Sequence, residues 1–190
     1  MTSSVGIDHI DLHECKKHGV KVANAGSIFS EDVADMAVGL LIDVLRKISP
    51  ATRFVKDGLW PQNEVYPLGH KLGGTRVGIV GMGSIGFEVA KRLNSFRKNG
   101  IIVNVARGAV INEKDLFECL QKGEISGAGL DVFENEPDVP EEFFELDNVV
   151  MAPHHAVMTE ESFRNLYELV VRNLEAFFSN KPLMFEVVKV

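Results

Sequence analysis

An α/β fold with a parallel, doubly wound sheet is predicted by three features of this 190-residue chain. Gly and Pro cut it into strand-like and helix-like pieces that alternate. The strand-like pieces, Ile101 to Val105 among them, are largely apolar runs of the kind covered on both faces. A glycine-rich turn joins one such run to a helix. The composition, 45% hydrophobic and 25% charged, is that of a globular domain able to bury a core without metal or disulfide staples.

The elements follow in order. Asp11 caps a short helix stopped by Gly19, and Val20 to Ala23 is a short strand. Ser30, with Glu31 and Asp32 behind it, starts a helix that runs to about Lys47. That helix is apolar almost all round, so it is either deep core or a subunit interface, and a homodimer through residues 31–47 is expected. Pro50 opens a further helix reaching Gly58, and Leu59 to Gly74 reads as loop. Arg76 to Val80 is a β-branched strand and Ser84 to Leu93 a helix. Ile101 to Val105 is a strand, and Asn112 caps a helix ending at Gly123. Ala128 to Val132 and Asp147 to Met151 are further strands, and Thr159 to Ser179 is a long closing helix.

Charge and cysteine usage narrow the function classes. With 27 acidic against 20 basic residues the net charge is −7, which disfavours nucleic acid or an anionic membrane surface as partner. A small anionic substrate stays compatible, because a local cationic site can oppose the global charge. Cys15 and Cys119 stand far apart, suggesting neither a disulfide framework nor a cysteine-based zinc site. No basic stretch precedes an apolar one at the N-terminus, and the longest apolar stretch, Met36 to Leu45, is interrupted by Asp43. The chain reads as cytosolic, with no membrane partner.

Gly81-Met82-Gly83-Ser84-Ile85-Gly86 places Gly-x-Gly-x-x-Gly directly after a predicted strand and at the start of a helix, the context that makes the motif a dinucleotide site. Gly81 permits the tight turn, Gly83 lets the backbone approach a pyrophosphate, and Gly86 allows the helix to pack on the strand. A Rossmann-type unit would next supply a strand ending in Asp or Glu for the ribose. Here the helix passes through Arg97-Lys98-Asn99-Gly100 straight into the next strand, and no acidic residue holds that position. Glu88 lies in the first helical turn and cannot substitute. Lys91, Arg92, Arg97 and Lys98 read as a solvated helix face.

Three segments carry chemistry: Val103 to Gly108, Gly129 to Pro137 and Ala152 to Thr159. Arg107 and His154 each follow a strand end, and Glu136 sits in the loop after another, where open α/β sheets gather catalytic groups. A guanidinium holds an α-keto carboxylate with two parallel bonds. An imidazole gives a proton to a keto oxygen, and a carboxylate on its other nitrogen fixes the tautomer. Taken singly, each residue has an ordinary structural explanation as surface ion pair, loop charge or packing histidine. In this order behind a dinucleotide loop, they point to ketone reduction.

These motifs resemble the D-isomer-specific 2-hydroxyacid dehydrogenase family over nearly the whole chain. Ser27 to Lys47, Gly-Met-Gly-Ser-Ile-Gly and Pro-His-His-Ala-Val-Met-Thr are most similar to its plant-type glyoxylate/hydroxypyruvate and hydroxyphenylpyruvate reductases. The resemblance implies an NAD(P)-dependent enzyme, with NADPH favoured, that reduces small 2-oxo acids to D-2-hydroxy acids. It implies that Arg107 orients substrate, that His154, directly after Pro153, is the acid/base, and that Glu136 is its partner. His155 stands where the family usually has a non-histidine. Gly81, Gly83, Ser84, Ile85, Gly86 and Ala106 would hold the cofactor, and Asp131 would touch the nicotinamide carboxamide. Ser4 to Asp8 looks like the family's substrate loop, with the N–H groups of Val5 and Gly6 receiving the carboxylate.

By the same resemblance, residues 1–28 are a remnant of a substrate domain. Residues 29–160 are a dinucleotide-binding domain without its ribose-side strands, and 161–190 form the closing helix and tail of the substrate domain. The start of the substrate domain is missing, as is a block of roughly 50 to 60 residues after Phe96, the scale of two βα units. That block would contain the ribose strand, its neighbour, and the strand lying between the two now joined. A reading from a different class therefore stands beside the enzyme: a catalytically silent, dimerising fragment or splice form, from which cofactor binding would distinguish it.

Overall fold

The computed structural model describes residues 1–62, 66–73, 77–81, 83–93 and 100–188. In chain order its elements are α1 (Leu12–Lys17), β1 (Val22–Ala23), α2 (Ser30–Arg46), α3 (Ile48–Lys56), α4 (Ser84–Arg92), β2 (Ile101–Asn104), α5 (Glu113–Gln121), β3 (Gly127–Leu130), β4 (Val149–Met151), α6 (Glu160–Phe178) and β5 (Glu186–Val188). Single 3₁₀ turns occur at Gly108–Val110 and Glu141–Glu145. Two compact units emerge: residues 1–32 with 157–190, and residues 33–156. Boundaries were expected at 28/29 and 160/161, and the two terminal stretches share one unit.

In the unit of the two termini, β1 pairs antiparallel with β5. Asp11 caps α1 by accepting the Glu14 N–H, and Thr159 caps α6 by accepting that of Ser162. Buried Asn173 of α6 accepts the Met184 N–H at 2.7 Å and donates to the Met184 carbonyl at 3.2 Å, which fastens the tail to the helix. One face of α6 leaves Phe163, Tyr167, Leu174 and Phe178 exposed.

The other unit is built on a parallel sheet in the order β2-β3-β4, the α/β arrangement expected. Successive side chains of a strand point to opposite faces. Ile102, Ala128, Leu130 and Val149 accordingly meet Leu116 and Leu120 of α5 on one side. On the other, Ile101, Val103 and Val150 meet Leu40 and Val44 of α2. Asn112 caps α5 by accepting the N–H groups of Lys114 and Asp115.

Two expectations are corrected here. Val33, Ala34, Ala37, Leu40, Leu41, Val44 and Leu45 are all buried within the chain, so the apolar girth of α2 is deep core and only a narrow stripe of Glu31, Asp35, Gly39 and Arg46 is exposed. A dimer contact cannot use residues already packed inside. The second correction is that the residues read as the strand Arg76 to Val80 form none over 77–80, and Val80 is 98% exposed; Arg76 lies outside the described residues. A strand is held by ladder bonds to a neighbour, and the neighbours expected for this one belong to the block absent after Phe96. Among the described residues no helix is long and apolar enough to cross a membrane.

Candidate active site

Each of the three parallel strands ends in a turn that carries one of the side chains expected to act. After β2, buried Asn104 folds the chain back on itself: its Oδ1 accepts the Ala106 N–H at 3.1 Å, and its Nδ2 donates to the Arg107 carbonyl at 2.9 Å. This local bonding by a strand-end Asn holds up the exposed Arg107, whose Nη1 donates to the Ala106 carbonyl at 2.8 Å. Gly108 follows because nothing larger fits. A Cβ there would lie 1.9 Å from the Phe133 carbonyl carbon and 2.3 Å from the Glu134 nitrogen.

After β3 the loop folds upon its own carboxylates. Glu136 Oε1 accepts the Phe133 N–H at 3.0 Å, while Glu134 and Glu113 exchange bonds, each side chain accepting the other's N–H at 2.8 and 3.1 Å. After β4, His154 takes a left-handed backbone at φ 55°, a conformation uncommon for a residue other than Gly. Its Nδ1 lies 2.7 Å from Glu136 Oε2.

Burial pushes the Glu136 carboxyl up. The hydrogen bonds from His154 and the Phe133 N–H, with the charges of His154 and Arg107, outweigh that and hold it below its ordinary value. An ionised carboxylate only accepts, so Nδ1 of His154 carries a proton toward Glu136. Arg107, Glu136 and His154 are thus brought together. His155 is exposed, with Nδ1 2.6 Å from the Pro153 carbonyl.

The glycine loop keeps features a pyrophosphate needs. Gly81 has φ 90°, and a Cβ at Gly81 or Gly83 would meet nothing within 4 Å. At Gly86 a Cβ would lie 2.1 Å from the Gly81 carbonyl oxygen. Gly83 caps α4, so Ser84 and Ile85 lie in a first turn whose N–H groups have no acceptor within the helix. The residues present therefore fit the pyrophosphate of a dinucleotide; Met82 lies outside the described residues. Among the described residues between the glycine loop and β2 the one carboxylate is that of Glu88. Glu88 pairs with Lys91 and Arg92 at 2.6 and 3.1 Å, and Arg92 also reaches Asp35 of α2 at 2.6 Å. Lys91 and Arg92 are thus engaged in ion pairs, and Arg97 and Lys98 lie outside the described residues.

In the other unit the Val5 carbonyl accepts from Asn24 Nδ2 at 2.8 Å and the Gly6 carbonyl from Ser4 Oγ at 2.6 Å. Among the described residues their N–H groups have no partner, as an anion-receiving loop requires. Asp131, expected at a nicotinamide, is fully buried and accepts the backbone N–H groups of His155 and Ala156. Asn104 was not singled out from the sequence; its signal was an amide side chain at a strand end two residues before an exposed turn. Among the described residues no group of three or more His, Cys, Asp or Glu is arranged to hold a metal ion.

The profile of the family described as D-isomer specific 2-hydroxyacid dehydrogenase, NAD binding domain, matches residues 38–98 and 90–156. A glyoxylate/hydroxypyruvate reductase (HPR3) of Arabidopsis thaliana is 45% identical over 240 residues, covering 97% of this chain and 74% of its own length. A hydroxyphenylpyruvate reductase of Plectranthus scutellarioides is 35% identical, covering 97% of this chain and 76% of its own. Among solved structures, an NADPH-dependent glyoxylate/hydroxypyruvate reductase from Sinorhizobium meliloti, in complex with NADP and malonate, superposes with a TM-score of 0.87 at 30% identity over 97% of this chain and 76% of its own. The alignment with the Arabidopsis protein is longer than this chain, so that protein carries residues with no counterpart here. The two matched stretches of the profile overlap at residues 90–98, which locates the break just after α4.

Proposed function

Because the chain belongs to the D-isomer-specific 2-hydroxyacid dehydrogenase family, we propose that it reduces small 2-oxo acids of the glyoxylate, hydroxypyruvate or hydroxyphenylpyruvate kind to D-2-hydroxy acids at the expense of NADPH or NADH. One observation carries the reading: the 2.7 Å His154–Glu136 pair, in the field of Arg107, at the carboxyl ends of adjacent parallel strands.

Arg107 holds the substrate carboxylate, for which a planar, permanently charged fork is suited. His154, kept in one tautomer by Glu136, presents Nε2 to the keto oxygen and gives it a proton as negative charge develops there. Glu136 stabilises the imidazolium before that transfer. Gly81, Gly83, Ser84, Ile85, Gly86 and Ala106 are the residues that would hold a dinucleotide. The nicotinamide cofactor, when bound, supplies the hydride.

Homodimer formation and a cytoplasmic location belong to the same reading. With the seven innermost apolar residues of α2 buried, one surface open to a second copy is the apolar groove between α2 and α3 lined by Ile42, Arg46, Ile48 and Val55. A second reading, a catalytically silent fragment of such an enzyme, is favoured by the unpaired segment at residues 77–80.

Fluorescence titration of the purified 190-residue chain with NADPH and NADH, alongside turnover of hydroxypyruvate, tests the choice. The enzyme reading expects saturable cofactor binding, and turnover that His154→Asn lowers by about 10² to 10⁴. Absence of both cofactor binding and turnover would favour the silent fragment.

A further inference from the structure

The backbone around His154 is held by one residue from another strand. His154 donates its N–H to the Asp131 carbonyl at 2.8 Å, His155 to Asp131 Oδ1 at 2.7 Å, and Ala156 to Asp131 Oδ2 at 3.0 Å. Three consecutive N–H groups therefore converge on a single aspartate that exposes no surface. Asp131 is itself anchored, since its own N–H donates to the Asn104 carbonyl at 2.9 Å. Asn104 in turn supports the Arg107 turn. A continuous line of hydrogen bonds thus runs from the Arg107 carbonyl through Asn104 and Asp131 to His154, across the carboxyl ends of the strands.

We propose that Asp131 is a positioning residue that clamps the left-handed turn bearing His154. This inference rests on His154 being the proton donor. Two observations lead to it. The turn is uphill for an L-residue: His154 at φ 55° occupies backbone space that persists only where the surroundings over-determine it. A buried carboxylate needs donors, and here both oxygens are satisfied by the turn itself, through charge-assisted bonds stronger than neutral ones. Aiming the imidazole at Glu136 thus depends on a residue that touches neither ring.

The test reads the turn directly. In the unchanged chain the His155 and Ala156 amides should resist hydrogen exchange as strongly as those of β3, although His155 itself is exposed. In Asp131→Asn, which keeps one acceptor and turns the other into a donor facing an N–H, that protection should fall at least tenfold. The nitrogen resonances of the His154 imidazole should lose the signature of an Nδ1–H bonded to Glu136.

Fast exchange at both amides in the unchanged chain would overturn the clamp, and that measurement does not depend on the variant folding. A variant that leaves the His154 resonances unmoved would overturn it too. If the resonances respond as expected but His154→Asn leaves turnover intact, the clamp stands and the assignment of His154 as proton donor fails.

Discussion

Replacing Gly108 by Ala tests whether the Arg107 turn and the Glu136 loop form one rigid body. The new Cβ would sit 1.9 Å from the carbonyl carbon and 2.0 Å from the oxygen of Phe133, and 2.3 Å from the Glu134 nitrogen, all backbone atoms with no flexible side chain to swing aside. Reaching a carbon–carbon separation of about 3.5 Å requires about 1.5 Å of movement. A shift of that size breaks bonds made at 2.8 to 3.0 Å. Three are in its path: Glu134 N–H to Glu113, Phe133 N–H to Glu136, and Asn104 Nδ2 to the Arg107 carbonyl.

At about 1 kcal/mol net for each bond, the loss is about 3 kcal/mol, at the upper end of the usual overpacking range. For a chain of this length that lowers Tm by roughly 6 to 12 °C. Misplacing catalytic groups by about 1 Å further predicts a loss on the order of 10² in any turnover. Thermal unfolding followed by circular dichroism measures the first effect, and hydroxypyruvate reduction the second. The control is Gly39→Ala, in the exposed stripe of α2 where a Cβ meets nothing within 4 Å. It should stabilise by about 0.5 to 1 kcal/mol. A Gly108→Ala protein melting within 2 °C of its parent, set against a normal control, would refute the rigid-body reasoning.

Other outcomes follow from burial and charge. Leu41 is 3% exposed and packs with Leu45 and Leu93, so Leu41→Ala should cost about 2 to 5 kcal/mol in urea unfolding. Leu41→Glu should unfold the chain, with sedimentation and circular dichroism distinguishing that from loss of a dimer. Because the folded Glu136 carboxyl lies below its ordinary value of 4.5, its favourable contribution is complete above that pH and is lost only as pH falls through the lower folded value. The carboxyl carbon resonance of Glu136 should therefore titrate with a midpoint under 4.5, and a midpoint at or above 4.5 would remove the ion pair from the site. Glu136→Gln should abolish that titration and lower turnover, since an amide cannot stabilise the imidazolium by charge.

By itself the sequence determined whatever depends on a few neighbouring residues. Asp11 and Asn112 cap helices where they were expected to, because a short polar side chain and the N–H groups it caps are only two or three residues apart. Arg107, Glu136 and His154 were legible for a related reason: parallel strands joined by helices all bring their carboxyl ends to one edge. Residue types placed just after those ends must meet there.

Tertiary structure alone decided the rest. The β1–β5 pairing joins residues 22–23 to 186–188, and no local pattern announces a partner that distant. Residues 77–80 carry a strand's sequence without forming one, since β propensity is realised only against a neighbour. The apolar girth of α2 could not say whether sheet or second subunit would cover it; the sheet and α4 do so. Asp131 holds the turn after β4 as well, a duty that no local pattern announces. A carboxylate at no exposure needs donors, and the amides of residues 155 and 156 supply two.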